Sequence, residues 1–335
     1  MRSIASYAWL LSLAAATGTG RVQAQSPASA TPIFRFETDE LWLNLHHFLH
    51  VLGRHENGTS DSRRAAVARA PVDAARGLAQ LSDDERAVWR EAVRYYAAGP
   101  SQKDLILDSA ATELTRVLAD ADERPLDTVA IDTGHARVLA RVAPVYRKTW
   151  WPEHRAANVA WSEAAKNMVD RHGDAVLRLI TQAYGMKWPA EGYPVHLSGY
   201  ANWAGAYSTR ANVLVVSSLD SASRGAAALE TLFHEAMHQW DSAMFDLLRE
   251  HARAANKRVP RALSHVVLFY TAGDAVRRVI PRHVPYADAN GVYNRGWQTL
   301  HAAVVDIWKP YLDGRGTRDE AVRALVERTA TEPRP

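Results

Sequence analysis

Leu229-Glu230-Thr231-Leu232-Phe233-His234-Glu235-Ala236-Met237-His238-Gln239-Trp240-Asp241 is the stretch that decides the fold and the chemistry of this chain. Neither glycine nor proline occurs between Gly225 and Pro260, so a helix can run through it. On a helix His234 and His238 stand one turn apart on one face and can grip one metal ion. Glu235 lies about 100° round from His234, beside the metal rather than on it, where a general base takes a proton from a water that the metal activates. Phe233, Met237, Trp240, Met244 and Leu247 make a neighbouring apolar stripe that can seat the helix on a core. Asp241, on the same face beyond His238, and Glu230, one turn before His234, can each accept the second imidazole N–H and fix the tautomer.

The motif His234-Glu235-x-x-His238 resembles the active-site helix of the zincin metallopeptidases. The resemblance spans about a dozen residues and implies Zn2+ and hydrolysis of peptide bonds, with Glu235 as general base. It names no substrate and does not separate endopeptidase from exopeptidase activity.

Catalytic zinc takes three protein ligands and a water, so a third ligand is needed. The next expected helix, Arg261–Val279, offers Asp274 and His265, which lie on its opposite sides. If the metal helix runs straight to about Asn256, an antiparallel return regains the level of His238 near Asp274; if it stops near Glu250, the level falls near His265. The first geometry favours Asp274, with His265 as the alternative. The gluzincin branch of the zincins uses a glutamate on this second helix, so Asp274 would make the chain gluzincin-like with an atypical third ligand. Tyr270, one turn before Asp274, is a candidate oxyanion donor, and Arg277 can hold a substrate carboxylate. Tyr286 and Tyr293, in the loop 281–296, are rival oxyanion donors.

Upstream of the metal helix the pattern turns extended. Tyr193–Leu197 and Asn212–Ser217 read as strands, with a Gly- and aromatic-rich stretch, 199–208, between them. In zincins an edge strand at this place holds the substrate backbone by strand addition, a general recognition mode. Gly205-Ala206-Tyr207 is similar to the Gly-Ala-Met-Glu-Asn element of aminopeptidase gluzincins in its first two residues. The glutamate is absent, so aminopeptidase activity is not implied. Tyr200, Trp203 and Tyr207 are candidate substrate contacts, with a packed hairpin as the equal alternative.

The remaining chain supplies scaffold. Residues 38–184 read as packed helices, among them Glu40–Leu52 and Asp83–Ala98 with a Ser82/Glu85 capping box, with breaks near Pro71, Ser82 and Gly99. A corner is expected at 144–152, and a long helix from Pro152 to Tyr184. His46, His47 and His50 read as core or surface histidines rather than a second metal pair. Residues 297–312 form a last helix, and the charged tail beyond it is expected to fray.

Residues 1–24 have a short positive start, an apolar run over Ile4–Ala16 and a Val22-Gln23-Ala24 cleavage pattern, the form of an export signal. A linker, 25–37, follows. The absence of cysteine excludes thiol catalysis and Cys-based zinc sites. The Ala- and Arg-rich composition suits a bacterial periplasmic or secreted protein. A formal charge of +3 with scattered Lys and Arg argues against a nucleic-acid partner. No stable membrane insertion is expected after signal cleavage. The expectation is a predominantly helical α+β protein, with helices over 38–184 and a zincin-like catalytic region with a small sheet over 185–335. Its partner would be a peptide or protein substrate. The alternative is a degenerate zincin that binds metal or peptide without hydrolysis, because the usual third glutamate is missing.

Overall fold

Local chemistry sets the helix ends. In the computed structural model, which describes residues 31–59, 65–121 and 124–332, the Ser82 hydroxyl accepts the Glu85 N–H at 3.3 Å. The Glu85 carboxylate takes the Ser82 N–H at 3.0 Å in return, and this capping box opens α3 (Asp83–Ala98). Pro152 sits in the first turn of α6 (Trp151–Tyr184), which Gly185 closes in the left-handed region at φ 61°. The export signal read at 1–24 lies outside the described residues.

Helices α1 (Leu41–Glu56), α2 (Ala65–Leu78), α4 (Ser109–Ala119) and α5 (Thr133–Thr149) complete the first half. Phe48, Trp89, Tyr146, Trp150 and Tyr200 meet in its core. Helix α2 continues through Pro71, where the sequence suggested a break. Proline removes the N–H that would have reached the Val67 carbonyl, and the His55 ring nitrogen supplies a substitute donor there at 2.7 Å. The expected corner at 144–152 is helical too, since Pro144 lies inside α5.

Four strands, β1 (Phe34–Glu37), β2 (Tyr193–Ser198), β3 (Ala206–Ser208) and β4 (Leu214–Ser217), form one sheet in the order β1-β2-β4-β3. β1, β2 and β4 run parallel, and β3 is an antiparallel edge on β4. The last residues of the expected linker thus belong to the sheet, with Phe34 turned into the core. Gly205 accepts from Ser217 at 2.8 Å and Thr209 donates to Val213 at 3.0 Å. Alternation along the antiparallel pair then turns the backbone N–H and C=O of Ala206 and Ser208 to the side away from β4.

The chain leaves β4 into α7 (Gly225–Met237), tightens into a 3-10 turn (His238–Trp240), and continues as α8 (Asp241–Ala254) before α9 (Leu263–Val279). A short α10 (Tyr286–Ala289), α11 (Gln298–Ala303), a π-helical turn (Val304–Trp308), α12 (Lys309–Leu312) and α13 (Arg318–Thr329) follow. Helices α6, α7, α9 and α13 share a second core with the sheet, around Phe233, Met237, Val267 and Trp308. The tail expected to fray is instead the ordered α13: Thr317 and Glu320 form a capping box, and Val322 and Leu325 are buried. The fold is predominantly helical α+β. Among the described residues no helix is long and apolar enough to cross a membrane.

Candidate metal centre

Helices α7 and α9 lie antiparallel, and their side chains meet in four-residue steps. His238 faces His265 with ring centroids 5.1 Å apart, His234 faces Phe269 at 4.1 Å, and Glu230 faces Gly273. One potential ligand atom from each of His234, His238 and His265 lies within 4.8 Å of the other two. Among the described residues this is the group of side chains placed to share a metal ion.

The donor set fits a metal. His234 Nδ1 and His265 Nε2 are buried without a hydrogen-bond partner, a cost that a ligand would remove. Burial, with the neighbouring His238 and His265 rings, holds His234 well below the usual imidazole range. Burial likewise takes His265 down to about 4. Both rings are therefore neutral at pH 7, the form that ligates. His238 Nδ1 lies 2.7 Å from Asp241 Oδ2, which in the neutral ring fixes the tautomer with the lone pair on Nε2. Burial lowers His238, but the Asp241 hydrogen bond and the Glu235 charge outweigh it and leave the ring raised. The Glu235 carboxylate stands 4.0 Å from His238 Nε2 and is 13% exposed. Burial raises its pKa, the direction that makes a carboxylate a better base. Ser208 Oγ donates to the Glu235 carbonyl at 2.7 Å, which ties the edge strand β3 to α7.

The preference for Asp274 as third ligand is corrected: the structure groups His265, not Asp274, with the histidine pair. The carboxylate of Asp274 is committed on both oxygens, Oδ1 to Arg277 and Oδ2 to Arg278, each at 2.6 Å. The straight-helix expectation does not hold: α7 ends at Met237, a 3-10 turn spans His238–Trp240, and the His238 ring lies level with His265. The return helix is in register with α7, not with a single rod ending near Asn256.

Tyr270 and Arg277 share the Asp274 face of α9, away from His265, so neither stands at the histidine cluster. Tyr270 instead faces His301 at 6.1 Å, and burial together with the Asp274 charge takes its hydroxyl up to about 12. Tyr207 is buried with its hydroxyl 2.7 Å from His47 Nε2, so it is a core residue rather than a substrate contact. Tyr200 is buried as well and bonds Asp73, whereas Trp203 is 41% exposed. Glu230 does not reach His234: it accepts His283 Nε2 and the Tyr286 N–H. Tyr293 stacks on His301 at 3.8 Å, and the Tyr286 ring lies parallel to Phe269 at 6.3 Å.

Sequence reasoning missed Phe269 and Trp297, whose rings flank His265 at 4.6 and 5.6 Å. The signal was present as matched four-residue spacings, Glu230/His234/His238 on one helix and His265/Phe269/Gly273 on the other. Comparison of the chain with family models, curated proteins and solved structures finds no match.

Proposed function

We propose that the chain is an exported zinc-dependent peptidase of the zincin kind, with His265 as third ligand in place of a carboxylate. One observation carries the reading: the rings of His234, His238 and His265 converge, with the half-buried Glu235 carboxylate beside them. Neutral imidazoles suit zinc, and zinc when bound supplies a Lewis acid that polarises a carbonyl and acidifies water. Glu235 takes the proton of the attacking water and hands it to the leaving amine. On the edge strand, the N–H and C=O of the half-buried Ser208 are turned away from β4 and offer an extended peptide a place to pair, next to the metal helix. Export rests on the leader-like pattern of residues 1–24.

The test is hydrolysis of a peptide library by the purified chain, before and after chelation. Cleavage that is lost on chelation and restored by stoichiometric zinc is the expected result. Zinc bound without cleavage of any peptide would replace this reading with a binding role.

A further inference from the structure

Glu230 is buried on the metal helix, one turn before His234, yet its carboxylate serves the segment 280–297 rather than the histidines. Its two oxygens share the Tyr286 backbone N–H at 3.0 and 2.9 Å, and Oε2 also accepts His283 Nε2. The side chains of this Glu230–His283 pair are 2% and 7% exposed, so the bonds form out of water, where losing one partner is costly.

Helix α9 is shaped to the same point. A Cβ placed on Gly273 would stand 2.7 Å from Pro285 Cβ and 3.1 Å from Glu230 Oε1, so a larger residue would push the segment outward. From this anchor the segment carries Tyr286 to the ring of Phe269 and Trp297 to the rings of His265 and Phe269. Phe269 in turn lies 4.1 Å from His234 and 4.6 Å from His265. The partly buried rings of Phe269, Tyr286 and Trp297 thus form an aromatic wall on one side of the histidine cluster.

We propose that Glu230 is a positioning residue: with His283, the Tyr286 N–H and the gap at Gly273, it clamps the 280–297 segment and holds the aromatic wall beside the metal centre. This rests on the reading of His234, His238 and His265 as that centre. The wall gives an apolar substrate side chain a surface next to the ligands, so Glu230 acts on substrate through Tyr286 and Trp297, not through the metal.

The experiment is hydrogen exchange resolved at the Tyr286 amide, with peptide coverage of 281–297, on the metal-free full chain. Wild type is compared with Glu230→Gln, His283→Asn and Gly273→Ala, the last of which disturbs the clamp without removing any of its polar groups. Exchange at Tyr286 is expected to quicken by at least about tenfold in each variant, while α6 keeps its protection. Zinc content of the reconstituted variants is expected to match wild type, and peptide hydrolysis to show a raised KM with kcat nearly kept. Unchanged exchange at Tyr286 in Glu230→Gln would overturn the clamp. Loss of zinc with the segment still protected would overturn it too, by making Glu230 a partner of His234. A wild-type chain that binds no zinc would remove the metal-centre reading, while the exchange result would still decide whether Glu230 fastens the segment.

Discussion

Glu235→Gln is expected to retain its metal and to lose peptide hydrolysis by about 10²- to 10⁴-fold, the usual worth of a positioned general base. The amide has nearly the carboxylate's shape but cannot take a proton from the attacking water. Its neighbours do not depend on its charge for their places: His238 is held through Nδ1 by Asp241, and the Glu235 carbonyl is held by Ser208. Zinc content by elemental analysis and steady-state kinetics on a cleaved library peptide check the two halves of this result. Activity at the wild-type level would remove Glu235 from the mechanism. Loss of both metal and activity would make Glu235 a support of the site rather than its base.

The second large effect is on stability. His46, His47, His50, His135 and His154 are all buried in the helical half. His46 Nδ1 and His135 Nε2 share the Tyr96 hydroxyl, each at 2.9 Å, and Tyr146 bonds His154 at 2.8 Å. Burial takes His47 and His154 down to about 3, and His50 and His135 to about 4. Burial and the neighbouring imidazoles also hold His46 well below its ordinary value.

Above about pH 6.5 these rings are neutral in both folded and unfolded chains and contribute no pH dependence. Below it the unfolded chain binds protons that the native chain refuses. Each ring then costs about 1.4 kcal/mol of stability per pH unit until its folded pKa is reached. Two rings alone cost about 4 kcal/mol by pH 5, a large share of the usual stability of a domain. His196 works against this: although burial lowers it, its bond to Glu40 leaves it raised, so it stabilises below its unfolded pKa. The urea midpoint of the metal-free chain, followed by circular dichroism, is expected to fall steeply between pH 7 and pH 5. An unchanged midpoint would mean that these rings are solvated or already charged.

Much of this fold was legible wherever the signal is local. The Ser82/Glu85 capping box, Pro152 opening α6 and Gly185 closing it each act within a turn or two of the helix end they set. The β-branched run at 212–217 similarly marked β4. Strand β1 was hidden because its four residues take their place from pairing with β2, more than 150 positions away in the chain. Helix α13 was misread because its charged sequence hides the buried face of Val322, Leu325 and Val326, although its Thr317/Glu320 box was visible.

In the candidate site, the spacing of His234, Glu235 and His238 carried the local half. The third member depended on how the chain returns, and a 3-10 turn of three residues interrupts the helix on the way. No propensity rule marks such a turn in a stretch free of glycine and proline. Glu230 shows the same limit. Its place one turn before His234 suggested a hydrogen bond to that ring, whereas packing of the 280–297 segment gave its carboxylate other partners.

The most direct test of the account is the metal content of the chain from residue 25 onward, for wild type, His238→Ala, His265→Ala and Asp274→Asn after reconstitution with zinc. The arrangement of α7 and α9 predicts about one zinc per chain in wild type and in Asp274→Asn, and none in the two histidine variants. Zinc kept by His265→Ala and lost by Asp274→Asn, or a wild-type chain that takes up none, would contradict it.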